Sequence, residues 1–331
     1  MQFIDQNEIQ KRNSFRSIDL EVVNKINEMN QNLNFDQTLK YEDKYPNIFI
    51  FGLQRSGTTL LNQLLAKHTS FGYINNLTAK FWENPQYGVA LSKSLNLYNR
   101  NDIKLFSTHG NTSELDNLHE FGYFWAGLLN QKSSPNLEVK DFESINWNIL
   151  KQKVLSINSA FESGCVFKNT LIGHYLKGFS NLFRYPIYIY IKRNYLDIAM
   201  SIIKVRKQRY GNINEWWSMK PKEFSKIKDF DPYEQIIAQM YYLERDILEQ
   251  LEYINPSQLL VVNYEELCAN PNEIFEKIEK KYYKNNIKFK YNENFENLSR
   301  SRTNCNSIDV SEFNKYIKKY FGAQNEIFKK F

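Results

Sequence analysis

The residues best spaced for chemistry lie at positions 52–59, Gly-Leu-Gln-Arg-Ser-Gly-Thr-Thr, directly after the apolar segment Asn47-Ile48-Phe49-Ile50-Phe51. A strand that turns sharply into a helix leaves the first helical N–H groups without partners, and the positive end of the helix dipole points the same way. Such a turn holds an anion. Gly52 and Gly57 permit the bend and the close approach, Ser56, Thr58 and Thr59 add hydroxyl donors, and Arg55 offers a guanidinium fork suited to phosphate or sulfate oxygens. Leu60, Leu61, Leu64 and Leu65 then recur at helical spacing, so a buried helix is expected after the loop. A strand-to-helix turn capped by Ser and Thr would use the same residues for structure alone.

The nucleotide triphosphatase loop G-x-x-x-x-G-K-[ST] carries a lysine where this chain has Thr58, so the group held is not expected to be a γ-phosphate. A second segment narrows the ligand. Pro186 to Arg193 reads as a buried strand and Tyr195 to Arg209 as a helix, with Leu196, Ala199 and Ile203 on one side. Arg193 stands at the strand's end and Ser201 one to two turns into the helix, a pairing suited to a second phosphate. A triphosphatase would more often place a magnesium-binding carboxylate at the end of that strand.

Two phosphate grips without a Walker lysine resemble the sulfotransferase family. The resemblance covers residues 45 to 285 and implies that the R-S-G-T-T loop (Arg55, Ser56, Gly57, Thr58, Thr59) binds the 5′-phosphosulfate of 3′-phosphoadenosine 5′-phosphosulfate (PAPS). It further implies that the R-N-x-x-D-x-x-x-S element, Arg193 to Ser201, binds the 3′-phosphate. Tyr195 departs from the family's commoner R-[ND]-P, a loss of turn rigidity rather than of a ligand. Arg55 matches the arginine of tyrosylprotein and many bacterial members, and Val262-Asn263-Tyr264-Glu265-Glu266-Leu267 with Asn270-Pro271 looks like the Y-E-[DE]-L…P element. Lys168 resembles the second-strand K-x-P lysine, although Asn169-Thr170 replaces the usual threonine and proline.

By this resemblance Arg55 and Lys168 stabilise the leaving phosphate, and fixed cations suffice for a sulfuryl group without a metal. The base is less determined. The tyrosylprotein branch uses a glutamate about twenty residues past the loop, where this chain reads Ile74-Asn75-Asn76-Leu77-Thr78. The candidates are His119, then Glu120, then His109, in a stretch that also carries aromatics. His68 and His174 are assigned no chemistry. Trp82, Trp125, Trp216 and Trp217 are candidate walls of an acceptor cleft, whereas Phe121, Phe124, Trp125, Leu128 and Leu129 have helical spacing and read as core. Adenine stacking is unassigned, because Thr59-Leu60 lacks the tryptophan of cytosolic relatives, and Arg300 and Arg302 read as a solvated tail rather than a clasp over the 3′-phosphate.

These residues need a frame. Strands are expected near 47–53, 164–169, 186–193 and 259–264, with a weaker one near 71–74, and helices near 232–253 and 271–283. The expectation is one α/β domain with a central parallel sheet flanked by helices, a P-loop-like sulfotransferase fold with its ligand at the strands' C-terminal edge. Residues 1–44 read as an N-terminal arm with a short amphipathic stretch (Val22, Val23, Ile26, Met29). Residues 45–285 form the sulfotransferase domain, and 286–331 pack on or close over the cofactor site.

Composition adds bounds. The 331 residues carry a formal charge of +6 with 43 basic and 37 acidic side chains dispersed among one another, so a nucleic-acid partner is not expected. Apolar runs are too short to span a bilayer and the first residues lack a secretion signal, which points to the cytoplasm. Cys165, Cys268 and Cys305 are too scattered for a zinc pattern. The expected activity is PAPS-dependent sulfuryl transfer to a hydroxyl of a carbohydrate or other metabolite, leaving the oligomeric state unassigned. The alternatives are a P-loop nucleotide kinase and a noncatalytic nucleotide-binding protein of the same fold.

Overall fold

In a computed structural model of the protein, the described residues are 28, 40–105, 114–131, 144–283, 287–296, 298 and 307–322. Five strands form one parallel sheet in the order β2-β3-β1-β4-β5: β1 Asn47–Gly52, β2 Gly72–Tyr73, β3 Cys165–Lys168, β4 Pro186–Lys192 and β5 Leu259–Asn263. Each expected strand is present, the weak one reduced to two residues. The α/β architecture expected from the sequence is therefore the observed one.

The two central strands alternate aliphatic and aromatic residues, Ile-Phe-Ile-Phe in β1 and Ile-Tyr-Ile-Tyr-Ile in β4, and a strand's period of two sends each kind to its own face. Phe49 pairs with Tyr188 and Phe51 with Tyr190 in register. The Phe49 ring stacks on Tyr188 at 5.5 Å and on Phe167 of β3 at 5.6 Å between centroids. On this face Trp125, Phe179 and Ile247 complete the core. The aliphatic face, Ile48, Ile50, Ile187, Ile189 and Ile191, packs against Leu61, Leu64, Leu65, Ile274 and Phe275.

The helices that matter here are α1 Thr58–His68, α2 Pro85–Ser94, α3 Gly122–Leu128, α4 Trp147–Phe161, α5 Tyr195–Tyr210, α6 Pro232–Leu251, α7 Tyr264–Ala269, α8 Pro271–Tyr283 and α9 Ser307–Phe321. Side chains cap several of them: Asn146 accepts from an amide of α4, Asn194 from two of α5 and Asp231 from two of α6. Helix α9 was not expected. It packs on α5 and α6 through Phe313 and Tyr316, with Tyr233 Oη donating to Asp309 Oδ1 at 2.6 Å and Lys319 pairing with Glu234 at 2.6 Å. Val22, Val23, Ile26 and Met29 of the amphipathic stretch, His109, Arg300, Arg302 and Cys305 lie outside the described residues. Cys165 and Cys268 are buried thiols.

The order places a topological switch at β1. After β1 the chain builds β2 and β3 on one side, then β4 and β5 on the other, so the loops leaving β1 and β4 diverge and open a crevice at the sheet's C-terminal edge. The turn after β3 is anchored from behind. His174, at the end of the 3-10 turn Thr170–His174, shares a buried contact of 2.5 Å between Nδ1 and Asp246 Oδ2 of α6, and Lys222 donates to Asp246 Oδ1 at 2.6 Å.

Burial alone would raise the Asp246 carboxyl, but the hydrogen bonds and charges of His174 and Lys222 outweigh it and hold the group at about 2. The distance of that value from the ordinary 3.8 corresponds to about 2 kcal/mol of stability, present above pH about 4 and lost as pH falls through about 2. Asp246→Asn is accordingly expected to lower stability by about 2 kcal/mol in urea denaturation at pH 7, with the gap to the native protein closing toward pH about 2. A gap independent of pH would mean that the pair contributes packing and no charge.

Candidate active site

The loop after β1 is a built cradle. Gly52 has φ +155, and a Cβ there would lie 2.5 Å from the Ile191 carbonyl oxygen. Gly57 has φ +104, and a Cβ there would lie 2.3 Å from the Tyr264 ring. Between them Arg55 adopts φ 68, a left-handed conformation that costs a non-glycine residue on the order of 1 kcal/mol. Ser56 N donates to Leu53 O at 3.2 Å, closing the turn. Helix α1 starts at Thr58 with Gly57 as its cap residue and no side-chain cap hydrogen bond. Its first amides are therefore left to a ligand or to water.

The second expected grip meets the first. Arg55 Nε donates to Ser201 Oγ at 2.8 Å, and Arg193 Nη1 donates to the Arg55 carbonyl at 3.1 Å. Arg193 and Ser201 are both buried. Register explains the meeting: Gly52 pairs with Ile191, so the residues that follow each strand leave the sheet side by side. Tyr264, at the start of α7, lies under both grips, its ring against Gly57 and its centroid 4.3 Å from the Arg193 guanidinium carbon. Glu265 Oε1 accepts from Asn194 N at 3.2 Å, pinning the β4–α5 turn to the β5–α7 turn.

A third tip adds a charged pair. Ile50 of β1 pairs with Lys168 at the end of β3, and the Lys168 ammonium is hydrogen-bonded to the Glu120 carboxylate. The two differ in access: the Lys168 side chain is 4% exposed and that of Glu120 40%. Asn169 fixes the neighbourhood, its Nδ2 donating to the Glu120 carbonyl at 3.2 Å and its Oδ1 accepting from Leu171 N at 2.8 Å. His119, next in sequence, faces differently. Its Nδ1 accepts from the Phe121 amide at 2.8 Å, and its own amide donates to Ile74 O at 2.8 Å. Phe121, the next residue, has a left-handed φ of 54 and precedes helix α3.

Electrostatically the crevice is short of negative charge. Burial lowers the affinity of the Arg55 guanidinium for its proton, nearby Arg193 lowers it further, and the opposing pull of Glu120 and Tyr264 does not restore it. Two guanidinium groups meet here, with the Lys168–Glu120 pair at the adjoining tip, and an anionic ligand would relieve the repulsion between the two guanidinium groups. Ser56 Oγ is buried with no hydrogen-bond partner among the described residues, and a Cβ at Gly52 would lie 3.0 Å from it.

The Arg55, Ser56, Gly57, Thr58, Thr59, Arg193 and Ser201 positions thus meet at one crevice, with Lys168 and Glu120 at the adjoining tip. Trp125 is not a wall of it: the ring is fully buried in the core with Phe121, Phe124 and Leu129, because their helical spacing faces the sheet. Trp82 packs on Tyr123 at 5.8 Å, one turn beyond Glu120, and Thr170 Oγ1 donates to Met219 Sδ at 2.9 Å beside Asn169. His68 Nδ1 lies 2.9 Å from Asn292 O, far from the crevice in the fold, and stacks on Phe295. Asn169, Asn194 and Tyr264 were not singled out as site residues; the polar residue after each strand-end cation and the aromatic opening the Tyr-Glu-Glu-Leu run were the available signals.

Among the described residues no helix is long and apolar enough to cross a membrane, and no group of three or more His, Cys, Asp or Glu side chains could hold a metal ion. No curated protein matches the chain at a significant level. Among solved structures, sulfotransferase STF9 from Mycobacterium avium aligns with a TM-score of 0.50 at 12% identity, covering 89% of this chain and 72% of that one. Sulfotransferase STF1 from Mycobacterium tuberculosis H37Rv aligns with a TM-score of 0.46 at 14% identity, covering 86% and 76%. Residues 46–282 match the model of a sulfotransferase family, Sulfotransfer_3, and this span contains every residue of the crevice; the chain belongs to the sulfotransferase family.

Proposed function

We propose that this sulfotransferase transfers the sulfuryl group of PAPS to a hydroxyl of a carbohydrate or other metabolite, with Glu120 as the proton acceptor. The observation that carries the reading is the junction of Arg55, Ser201 and Arg193, which joins the two phosphate grips into one crevice. Ser56, Gly57, Thr58, Thr59 and the first amides of α1 hold the 5′ end, and Arg193 with Ser201 holds the 3′-phosphate. PAPS supplies an activated sulfuryl group on a phosphate leaving group. A nucleotide kinase is disfavoured by family membership, by Thr58 at the Walker lysine position and by Arg193 where a magnesium carboxylate would stand.

In this reading Glu120 takes the proton of the acceptor hydroxyl as that oxygen bonds to sulfur, and the bond from sulfur to the phosphate oxygen breaks. Protonation removes the charge that engaged Lys168, so the ammonium is released to the phosphate oxygen that gains charge in the same step. Arg55 stabilises that phosphate from the loop side. Glu120 is favoured over His119 because its carboxylate is accessible and adjoins both Lys168 and Arg55, whereas the His119 Nδ1 is committed to the Phe121 amide. Family membership speaks against a noncatalytic binding protein, and so does a solvent-accessible carboxylate beside the cations.

Arg193→Ala is expected to weaken 3′-phosphoadenosine 5′-phosphate (PAP) binding roughly 10- to 100-fold in calorimetry, the range for loss of a charged hydrogen bond; native affinity would remove the second grip. Gly57→Ala should abolish measurable PAP binding, since the added carbon meets the Tyr264 ring at a backbone angle that L-residues rarely adopt. Glu120→Gln and Lys168→Ala should each lower kcat by about 100-fold or more while leaving PAP affinity within a few-fold. A larger loss in His119→Gln than in Glu120→Gln would transfer the base to the imidazole.

A further inference from the structure

Segment 211–223, between α5 and α6, is held by buried polar side chains that the chemistry above does not use. Gln239 of α6 is fully buried, and its Nε2 donates to Trp217 O at 3.0 Å and to Met219 O at 2.6 Å. The two bonds span Ser218, whose φ of 72 is a left-handed conformation that a non-glycine residue rarely adopts. Arg206 of α5, also fully buried, donates from Nη1 to Ile213 O at 3.1 Å and to Gln235 Oε1 of α6 at 2.8 Å. Lys222 reaches Asp246 at 2.6 Å, and Glu223 is paired with Arg245. Gln235, Gln239 and Asp246 follow one another at spacings of four and seven residues, so one face of α6 grips the segment along its length. Connecting segments ordinarily run over the surface without such ties, and burying polar groups to hold one is costly.

What the grip holds in place is Met219. Its sulfur accepts from Thr170 Oγ1 at 2.9 Å, and Thr170 directly follows Lys168 and Asn169, whose Nδ2 donates to the Glu120 carbonyl. Met219 also packs in one cluster with Leu53 of the loop after β1 and with Ile198 and Ile202 of α5, the helix that carries Ser201. The segment therefore meets the tips of β1 and β3 and the helix that leaves β4. A backbone fixed at that junction stands as a further wall beside the Lys168–Glu120 pair. An activated sulfuryl group is open to attack by water as well as by an acceptor, and a rigid, mostly apolar wall is what keeps water from it.

We propose that Gln239 is a positioning residue for the acceptor side: it holds Met219 as a wall that shields the sulfuryl group of PAPS from water. The shielding rests on the reading of the crevice as a PAPS site, whereas the grip on the segment does not. Without the wall, a water oxygen bonds to sulfur as the bond from sulfur to the phosphate oxygen breaks, and sulfate, PAP and the protons of that water are released. The donor is then spent without an acceptor.

The experiment has three readouts on the full chain: sulfoxide formation at Met219 in dilute hydrogen peroxide, followed by peptide mass spectrometry; PAP affinity by calorimetry; and PAP release from PAPS with no acceptor present. Met200 and Met240, buried in the same cluster, are internal controls for general loosening. Gln239→Leu keeps the bulk and removes the donor. It should speed oxidation of Met219 about 10-fold, the loss expected for two hydrogen bonds, with Met200 and Met240 near native. PAP affinity should stay within about 2-fold, and PAP release from PAPS should rise about 10-fold. Met219→Ala shortens the wall itself and should raise the same release with PAP affinity again near native. Native oxidation of Met219 in Gln239→Leu overturns the grip. Native PAP release in either variant overturns the shield. Equal acceleration at Met200 and Met240, or PAP weakened more than about 5-fold in Gln239→Leu, overturns the proposal by making Gln239 a residue of general stability. If the native protein fails to bind PAP, the functional reading falls and takes the shield with it, while Met219 oxidation still decides the grip.

Discussion

The contact on which the site depends is the one between Arg55 and the β4–α5 segment. One guanidinium nitrogen reaches Ser201 Oγ, and the Arg193 guanidinium reaches back to the Arg55 carbonyl, so two loops separated by more than a hundred residues of chain constrain each other. Two positively charged side chains held this close repel, and their burial removes the water that would screen the repulsion. The sheet imposes the proximity all the same, because the β1–β4 register leaves the tips no other place to go. An anionic ligand would relieve that repulsion, which is why the proposed donor fits here.

That division of labour appears in the sheet itself. Phe49 and Phe51 stack on Tyr188 and Tyr190 in a ladder that needs no polar partner except at the phenol ends, and those ends are tied to the Phe179 carbonyl and to Glu244. Truncating a buried aromatic such as Phe49 would remove on the order of 3–5 kcal/mol. The edge where strands end is the reverse, with few apolar contacts and many directional ones. Asn169 and Glu265 each spend their side chain on a backbone group of a neighbouring turn, and Asn194 caps its own helix, so the strand tips are tied to their surroundings by directional bonds.

How much of this was legible in the sequence follows from the range of the interactions. The strands were readable because short β-branched and aromatic runs end at loop signals, and Arg55 to Thr59 because the glycines bracket it; these are local facts. Helix α9 was missed because the Lys- and Asn-rich composition of the C-terminal stretch obscured an amphipathic pattern that places Phe313 and Tyr316 on one face. Trp125 was read both as core and as a cleft wall, and periodicity was the better guide. The choice between His119 and Glu120 was not readable at all. Adjacent residues on a chain have the same neighbours in sequence, and it is the partners they meet in the fold, Lys168 from a distant strand for Glu120 and the Phe121 amide for His119, that give them different surroundings.

The loop geometry carries one more consequence. Arg55 at positive φ is strained, and strain of this kind persists only where the surroundings over-determine it. Here the determinants are visible: the Arg193 bond to its carbonyl, its own bond to Ser201, the Leu53–Ser56 turn and the Tyr264 ring that occupies the space beside Gly57. A loop without those contacts would relax, and its amides would have to be gathered again by each incoming anion at a cost of about 1–2 kcal/mol per residue ordered. Because the restraints come from β4, α5 and α7 rather than from the loop itself, the cradle's geometry is a property of the whole strand edge. Disturbance of any one tip therefore reaches the other two.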